Sequence, residues 1–544
     1  MTTVRVTHFF QLSIMAGERI YLYDTTLRDG AQTQGVDFGV PDKLAIAREL
    51  DQLGIDYIEG GWPGANPTDD ALFARPPKLA RARLAAFGMT RRSGRSADND
   101  PGLTAVLNSG ARVATLVGKC WDFHAKVALN VSAEENQAMI ADSVAHAAKK
   151  LDEVIFDAEH FFDGYKADPK FALGCITAAL KAGARWIVLC DTNGGTLPHE
   201  IEKIVGEVVK TVPGDRLGIH CHNDTETGVA NSLAAVRAGV RHVQGTLNGL
   251  GERCGNANLV SIIPSLMLKM GFKTGVDAEG LKHLTHVSHF LDERLNRAPD
   301  RHAAYVGESA FAHKGGLHVS AVEKDPRSYE HVDPDLIGNH RHIVVSDQAG
   351  KSNLLARLRE IGIEVKPNHP KLGALLDDIK KREFEGYAYD DAGASFELLA
   401  RRALDSVPEY FRLQSFRVLD ERRWNARGEL ITLSEATIKI TVNGQFGMTV
   451  AEGNGPVNAL DAALRQALLP AFPEVAEIRL TDYKVRILTP QDATGAVTRV
   501  MIETTDRDGT VWSTCGVSTN VIDASYNALH DSLTYKLWRS GRRG

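Results

Sequence analysis

The sequence lacks several patterns that would point to common functions. Its six cysteines are scattered and form no CxxC pair, so neither a zinc ribbon nor a disulfide framework is indicated, and a reducing, cytoplasmic location is predicted. No GxGxxG motif follows a predicted strand, and no GxxxxGKS/T motif occurs. Binding of a dinucleotide or a nucleoside triphosphate is therefore not expected.

Long apolar runs and an excess of positive charge are also missing. The apolar stretch from Val6 to Met15 is too short to cross a bilayer and has no convincing cleavage site, so we predict an irregular N-terminal extension over residues 1–17 and no membrane contact. The net charge of -6 over 544 residues, without a basic stripe, argues against nucleic-acid binding. With 43% hydrophobic and 24% charged residues, the chain is typical of a soluble protein of roughly two to four domains.

The first half of the chain alternates short apolar runs with amphipathic stretches, as in a parallel sheet covered by helices. Eight βα units in about 250 residues are typical of a TIM barrel, so we predict a (β/α)8 barrel over residues 18–285. Predicted strands begin at Ile20, Tyr57, Leu84, Arg112, Val154, Trp186, Leu217 and His242. Predicted helices include residues 42–53, 133–151, 198–212, 228–238 and 257–270.

Polar residues follow nearly every predicted strand, where the active sites of such barrels lie. A doubly wound open sheet would keep the first and last strands apart, whereas a closed barrel makes them neighbours. These rim residues are Arg28, Asp29, Glu59, Lys119, Glu159, Asp191, Thr192, His220, His222, Asn248, Glu252, Arg253 and Asn256.

His220 and His222 are two residues apart on a predicted strand and therefore face the same side. Two polar residues near a strand end are the simpler explanation of this pair alone. In a closed barrel, however, Asp29 comes close enough to add a carboxylate. Two imidazoles and one carboxylate leave coordination positions open for a substrate, as a catalytic metal site requires.

The second half of the chain has a different pattern. Residues 286–408 are predicted to form a helical linker region interrupted by prolines, and residues 409–544 a separate α+β domain. Within that domain, residues 458–462 (NALDA) resemble residues 520–524 (NVIDA), which is either chance or a faint internal repeat. Because the domain is separate from the barrel, we predict a regulatory role for it.

Three motifs carry a resemblance to the 2-isopropylmalate synthase and homocitrate synthase family. They are DTTLRDGAQ at residues 24–32, HCHND at 220–224 and GTLNGLGERCGN at 245–256. The resemblance covers nearly the whole chain, including a C-terminal region like the family's allosteric and dimerisation domain. Residues 58–67 (IEGGWPGANP) and 156–164 (FDAEHFFDG) look most like the branch that forms (R)-citramalate.

The resemblance implies an acyltransferase that joins acetyl-CoA to a 2-oxo acid by Claisen condensation and then hydrolyses the thioester. For the citramalate-forming branch the 2-oxo acid is pyruvate, the pathway leads to isoleucine, and feedback inhibition by isoleucine is expected. A 2-isopropylmalate synthase acting on 2-oxoisovalerate is the alternative within the family. A metal-dependent lyase or aldolase is the alternative of another class, although such lyases usually lack the C-terminal domain.

The resemblance also implies the ligands of a divalent cation, Mg²⁺ or Mn²⁺ with Zn²⁺ as the alternative. They are Asp29, His220 and His222, with Asn256 as a weaker fourth ligand and Asn248 as its rival.

Three further rim residues match functional positions of the family. Arg28 would stabilise the alkoxide that develops on the attacked carbonyl oxygen, or it forms only a structural ion pair. Glu159 would orient groups or move a proton near the acetyl methyl, or it is an ordinary rim carboxylate. Thr192 would bind the carboxylate of the 2-oxo acid, or it only forms a turn.

A last cluster lies outside the predicted barrel. His318 and Tyr329 match the histidine and tyrosine with which the family completes the active site of the neighbouring subunit. His313 is the rival of His318, and a histidine-rich surface loop is the alternative to both. The resemblance therefore implies a homodimer.

Overall fold

The computed structural model describes residues 17–313, 316–343, 351–404 and 407–542. The predicted N-terminal extension lies outside these residues, apart from Gly17. The chain divides into two compact units. One runs up to Phe311 and includes His331–Arg341, and the other consists of Ala312–Glu330 and the chain from His342 onward.

The first unit is built on a closed barrel of eight parallel strands. Strand β1 pairs with β8, so that Tyr23 lies opposite Gln244. The predicted barrel is confirmed, and each predicted strand begins within one residue of the observed one. The strands are β1 (Tyr21–Asp24), β2 (Tyr57–Gly61), β3 (Arg83–Met89), β4 (Val113–Lys119), β5 (Glu153–Glu159), β6 (Trp186–Asp191), β7 (Leu217–Cys221) and β8 (His242–Gly245).

Helices surround the barrel. They are α1 (Val40–Leu53), α2 (Pro67–Ala74), α3 (Pro101–Leu107), α4 (Asp122–Val127), α5 (Ala133–Ala148), α6 (Phe161–Ala167), α7 (Pro169–Lys181), α8 (Pro198–Val208), α9 (Gly228–Arg237), α10 (Leu259–Pro264), α11 (Ala278–Lys282) and α12 (Leu284–Arg294).

The single helix predicted over residues 257–270 differs from the structure. Asn258 caps α10 by accepting a hydrogen bond from the backbone of Val260, and after Pro264 the chain widens into a π-helical turn over Ser265–Lys269. Proline has no N–H to donate, which favours such a local change of hydrogen bonding.

The interior of the barrel is packed rather than hollow. Tyr23, Tyr57 and Trp186 are among the buried side chains inside it. His242 lies between them, with its ring centroid 5.5 Å from that of Tyr23 and 4.9 Å from that of Trp186. Neither ring nitrogen of His242 has a hydrogen-bond partner among the described residues. Burial, followed by the charge of Arg185, lowers the pKa of His242 to about 3.

We expect His242 to make the barrel sensitive to acid. The pKa of His242 is lower in the folded than in the unfolded chain. The contribution of the neutral imidazole to the free energy of unfolding is therefore fully present above the pKa in the unfolded chain, and it is lost as the pH falls below that value. Between about pH 8 and about pH 5 this residue should remove about 2 kcal/mol from the free energy of unfolding. Urea unfolding at several pH values should show that the free energy of unfolding decreases less on acidification in His242→Leu than in the wild type.

The exposed residue His199 offers the control His199→Gln, which should lose stability on acidification like the wild type. If the stability of His199→Gln instead depends on pH in the same way as that of His242→Leu, this account of His242 is wrong.

The second unit begins with two short strands and four helices. They are β9 (Ala312–His313), α13 (Gly316–Lys324), β10 (His342–Ile343), α14 (Lys351–Glu360), α15 (Leu372–Phe384) and α16 (Gly393–Leu404). The predicted helical linker region is therefore shared between the two units, because α12 and the chain up to Phe311 belong to the first.

The C-terminal part of the second unit consists of two similar halves. Each half is a three-stranded antiparallel sheet followed by a helix, and the two similar sequence segments lie at the starts of these helices. The elements are β11 (Phe411–Trp424), β12 (Leu430–Val442), β13 (Gln445–Gly453), α17 (Pro456–Leu468), β14 (Arg479–Ile487), β15 (Thr498–Thr505), β16 (Val511–Ser518) and α18 (Val521–Arg539). The predicted α+β architecture after the barrel is confirmed. No helix in the described residues has the length and apolar character needed to cross a membrane.

Candidate active site

Closure of the barrel brings a carboxylate from the loop after the first strand to two histidines at the end of the seventh strand. Ligand atoms of Asp29, His220 and His222 all lie within 4.8 Å of one another, and all three residues are buried. His220 Nε2 is 3.3 Å from Asp29 Oδ2, and the two imidazole centroids are 5.1 Å apart. This arrangement offers three ligands to a single cation.

The orientation of His220 is fixed from behind by two buried residues. His220 Nδ1 lies 2.9 Å from Gln244 Oε1, and Gln244 Nε2 donates to Asp157 Oδ1 at 3.0 Å. His220 Nε2 is thereby directed toward Asp29, as is usual for histidine ligands. Neither Gln244 nor Asp157 was assigned a role from the sequence, although Asp157 lies in the segment 156–164. Their inward positions on β8 and β5, with Gln244 next to His220 in register, were the available signal.

Two polar atoms at this site, His222 Nδ1 and Asn256 Oδ1, are buried and have no hydrogen-bond partner within the described residues. The two residues form an antiparallel bridge, and Asn256 Nδ2 donates to Leu250 O at 3.1 Å. The amide of Asn248, in contrast, is engaged at both ends by Ser288, with distances of 2.9 and 2.7 Å. Asn256 therefore offers a free oxygen to a cation, and Asn248 does not.

The electrostatics of the cluster suit a cation. Burial alone would raise the pKa of Asp29, but the Arg28 guanidinium and the hydrogen bond to His220 hold it well below its ordinary value. Burial and then the neighbouring His220 lower the pKa of His222 to about 3, so this imidazole is neutral. Burial lowers the pKa of His220, but the hydrogen bond to Asp29 raises it overall. A proton can thus bridge His220 and Asp29, and a cation would replace it.

Arg28 is held rigidly beside the cluster. Its Nε donates to Glu59 Oε2 at 2.7 Å, and its guanidinium carbon lies 3.9 Å from the centroid of the Phe87 ring. Glu59 is completely buried and also accepts hydrogen bonds from Tyr23, at 2.6 Å, and from Thr25. The terminal N–H groups of Arg28 therefore remain available to an anionic oxygen.

Glu159 and Thr192 lie at the ends of neighbouring strands. The carboxylate of Glu159 pairs with the Lys119 ammonium, a contact that the sequence analysis did not foresee. The Thr192 hydroxyl oxygen accepts a hydrogen bond from the backbone of His160 at 2.8 Å, so its own proton is free to bind a substrate oxygen. Lys119 also lines a cleft of about 320 Å³, together with Trp62 and Met89.

In the second unit, the two candidate histidines, His313 and His318, differ in burial. His313 is buried, with Nε2 3.0 Å from Glu330 Oε1. His318 and Tyr329 are both exposed and stack on each other, with centroids 4.1 Å apart. Among the three, His318 and Tyr329 present their rings to the surface.

A closed barrel with polar residues at the C-terminal ends of its strands is the arrangement found in TIM-barrel enzymes. The family described as HMGL-like matches residues 19–288. Residues 305–383 match the homocitrate synthase post-HMGL domain-like family, and residues 392–537 match the LeuA allosteric (dimerisation) domain.

Comparison with curated proteins narrows this class. The chain is 51% identical to the (R)-citramalate synthase of Aquifex aeolicus, over 97% of this chain and 99% of that protein. It is 50% identical to the (R)-citramalate synthase of Geobacter sulfurreducens, over 96% and 98%. Identity to the 2-isopropylmalate synthase of Dictyoglomus turgidum is 30%, over 96% and 99%. The chain belongs to the (R)-citramalate synthase family of acyltransferases.

Proposed function

We propose that this enzyme condenses acetyl-CoA with pyruvate and water to give (R)-citramalate and CoA. The observation that carries the proposal is the difference in similarity between the two branches. Five curated (R)-citramalate synthases are 44–51% identical to the chain, whereas the 2-isopropylmalate synthases are 30–31% identical. The buried cluster of Asp29, His220 and His222 supports the same chemistry.

The proposed cation ligands are Asp29, His220, His222 and Asn256. When bound, a divalent cation, Mg²⁺ or Mn²⁺ with Zn²⁺ as the alternative, would chelate the 2-oxo acid and polarise its keto group.

The chain's own residues supply the remaining chemistry. Arg28, fixed by Glu59 and Phe87, donates hydrogen bonds to the keto oxygen as negative charge develops there. Thr192 donates a hydrogen bond from its hydroxyl group to the carboxylate of the substrate. Glu159 lies at the rim, where it orients groups or moves a proton near the acetyl methyl, and its pairing with Lys119 keeps the carboxylate in place.

The substrate can be tested by measuring CoA release with acetyl-CoA and each of pyruvate, 2-oxobutyrate, 2-oxoisovalerate and 2-oxoglutarate. We expect pyruvate to give the highest kcat/KM. Each additional methylene changes the binding free energy by only about 1–3 kcal/mol, so the neighbouring acids should be turned over more slowly rather than not at all. A higher kcat/KM with 2-oxoisovalerate than with pyruvate would contradict the proposal.

We also propose a homodimer in which His318 and Tyr329 of one subunit assist the reaction of the other. Their exposure and stacking support this role, and so does the match to a dimerisation domain. The sheet of the first C-terminal half also has an apolar outer row on β13, formed by Phe446, Met448 and Val450, which are 62%, 59% and 45% exposed. Such a row suits burial against a second subunit.

Complementation between inactive subunits tests this arrangement. Glu159→Gln and His318→Ala should each be nearly inactive alone. In the heterodimer one site would combine an intact Glu159 with an intact His318, so coexpression should restore about a quarter of wild-type activity for random assembly. The control is Glu159→Gln coexpressed with a Glu159→Gln, His318→Ala double variant, which should stay inactive. If the first pair is no more active than this control, His318 does not act across subunits.

Regulation and location complete the proposal. The two similar C-terminal halves are suited to bind a small effector, and we expect isoleucine to inhibit the enzyme and leucine to do so less. The same CoA-release assay with either amino acid tests this, and stronger inhibition by leucine would contradict it.

A cytoplasmic location agrees with the six free cysteines, of which five are buried.

A further inference from the structure

A second group of convergent ligand atoms lies outside the barrel rim. We propose that Glu49, His283 and His286 bind a transition-metal cation of the zinc type. Glu49 belongs to α1, His283 joins α11 to α12, and His286 lies in the first turn of α12. We call this group the α1–α12 site. Apart from the barrel cluster, it is the one set of three potential ligands that converges in this way within the described residues.

The distances in the α1–α12 site are those of ligands around a common point. His283 Nε2 and His286 Nε2 lie 3.0 and 3.6 Å from the same oxygen, Glu49 Oε2. The longer distance exceeds that of a hydrogen bond, so the carboxylate does not bind both imidazoles through protons. Ligands about 2.0–2.2 Å from a tetrahedral zinc are about 3.3–3.6 Å apart, and both distances need to change only slightly.

The chemistry of the three groups favours zinc over magnesium. Two imidazoles and one carboxylate match the ligand preference of Zn²⁺ or Co²⁺, whereas Mg²⁺ prefers oxygen ligands. The side chain of Glu49 is 18% exposed, that of His283 35% and that of His286 57%. Solvent can therefore reach the cation and supply its fourth ligand.

The backbone around the α1–α12 site is fixed before any cation binds. A Cβ at Gly280 of α11 would lie 2.4 Å from the carbonyl oxygen of Leu53 at the end of α1, so the absence of a side chain allows this close approach. Gly54 then ends α1 in a left-handed conformation with φ +103°. The carboxylate and the imidazoles therefore come from two elements whose contact is already set, which reduces the entropy lost on binding.

Helix α12 also contacts the active-site rim. Ser288, two residues after His286, accepts a hydrogen bond from Asn248 through its carbonyl and donates one through its hydroxyl. Asn248 lies in the turn after β8 in a left-handed conformation with φ 53°, shortly before Asn256. A cation at the α1–α12 site would restrain α12 and, through Ser288, this turn. We therefore expect zinc bound there to raise the thermal stability of the enzyme.

Zinc stoichiometry tests the proposal on the full-length enzyme. After removal of metals, the protein is dialysed against buffered free Zn²⁺ and the zinc per chain is measured by mass spectrometry. His286→Gln should retain one ion fewer than the wild type, and the exposed residue His302 offers the control His302→Gln, which should retain the full number. His220→Asn, at the barrel cluster, should lose the other ion while keeping the one at the α1–α12 site.

Cobalt provides a second measurement that does not depend on folding differences or on activity. Co²⁺ added to His220→Asn should produce the visible absorption of a tetrahedral site, and the additional change Glu49→Gln should abolish it. Zinc should also raise the Tm of His220→Asn but not that of His220→Asn with His286→Gln. Equal zinc content in His286→Gln and His302→Gln, or an unchanged cobalt spectrum after Glu49→Gln, would overturn the proposal.

Discussion

Asp29→Asn is expected to lower kcat/KM for pyruvate by at least about 10³-fold, which corresponds to roughly 4 kcal/mol of transition-state stabilisation. The substitution keeps the size and shape of the side chain but removes its charge. In the wild type this charge is maintained despite burial, because Arg28 and His220 stabilise the carboxylate. An amide at position 29 would leave the proposed cation with two neutral imidazoles and two amide oxygens, and with no carboxylate. The activity should therefore fall together with metal content.

Two measurements distinguish this expectation from a simple loss of folding. The content of Mg²⁺ or Mn²⁺ after equilibrium dialysis should decrease in Asp29→Asn, while the Tm of the metal-free protein should change little. Asp37, an exposed residue in the same βα connection, offers the control Asp37→Asn, which should bind metal and release CoA like the wild type. If Asp29→Asn keeps its full metal content, Asp29 is not a ligand, and the cluster needs another carboxylate.

The position of Asp29 shows what could be predicted from the sequence. Apolar runs of strand length alternating with amphipathic helices indicate a barrel, and barrel closure alone places the end of β1 beside the ends of β7 and β8. The proximity of Asp29 to His220 follows from topology and needs no side-chain detail. The other rim residues are predictable in the same way, because parallel strands all end at the same face of the barrel.

Some roles could not be assigned from the sequence because they depend on the direction in which a side chain points. Gln244 lies just outside the quoted motifs and Asp157 lies within the segment 156–164, but only their inward orientation links them to His220. Asn248 and Asn256 lie close together in the same motif, but a left-handed turn at Asn248 directs its amide to Ser288. His313 and His318 likewise differ in burial, which depends on the chain folding back to bring Glu330 to His313. Local sequence periodicity contains none of this information.

The ligand residues also do not determine which 2-oxo acid is used, and the reason is chemical. A cation that chelates keto and carboxylate oxygens binds the part that all 2-oxo acids share. Discrimination must come from side chains around the remaining carbon atoms. Trp62 meets Phe87 edge-on at 5.3 Å, and Phe87 in turn supports Arg28. A bulky pair next to the residue that we propose to bind the keto oxygen is consistent with a small substrate such as pyruvate.

Arg28→Lys is expected to reduce kcat by about 10²–10³-fold, or about 2.7–4 kcal/mol, without loss of bound metal. Lysine keeps the charge but has neither the planar fork of donors nor the flat face that stacks on Phe87. Its ammonium can pair with Glu59 or approach the keto oxygen, but it cannot do both from a fixed position. The effect should therefore appear mainly in kcat, because the developing alkoxide needs the donors more than the neutral keto group does.

The matched control for this prediction is Arg83→Lys. Arg83 pairs with Glu153 at 2.5 Å, but it lies at the start of β3, at the end of the barrel away from the rim, so its replacement should leave kcat unchanged. Steady-state CoA release, metal content and Tm measured for both variants separate catalysis from folding. If Arg28→Lys keeps kcat within about threefold of the wild type while metal content is unchanged, Arg28 serves only as the structural partner of Glu59. In that case alkoxide stabilisation would depend on the cation alone.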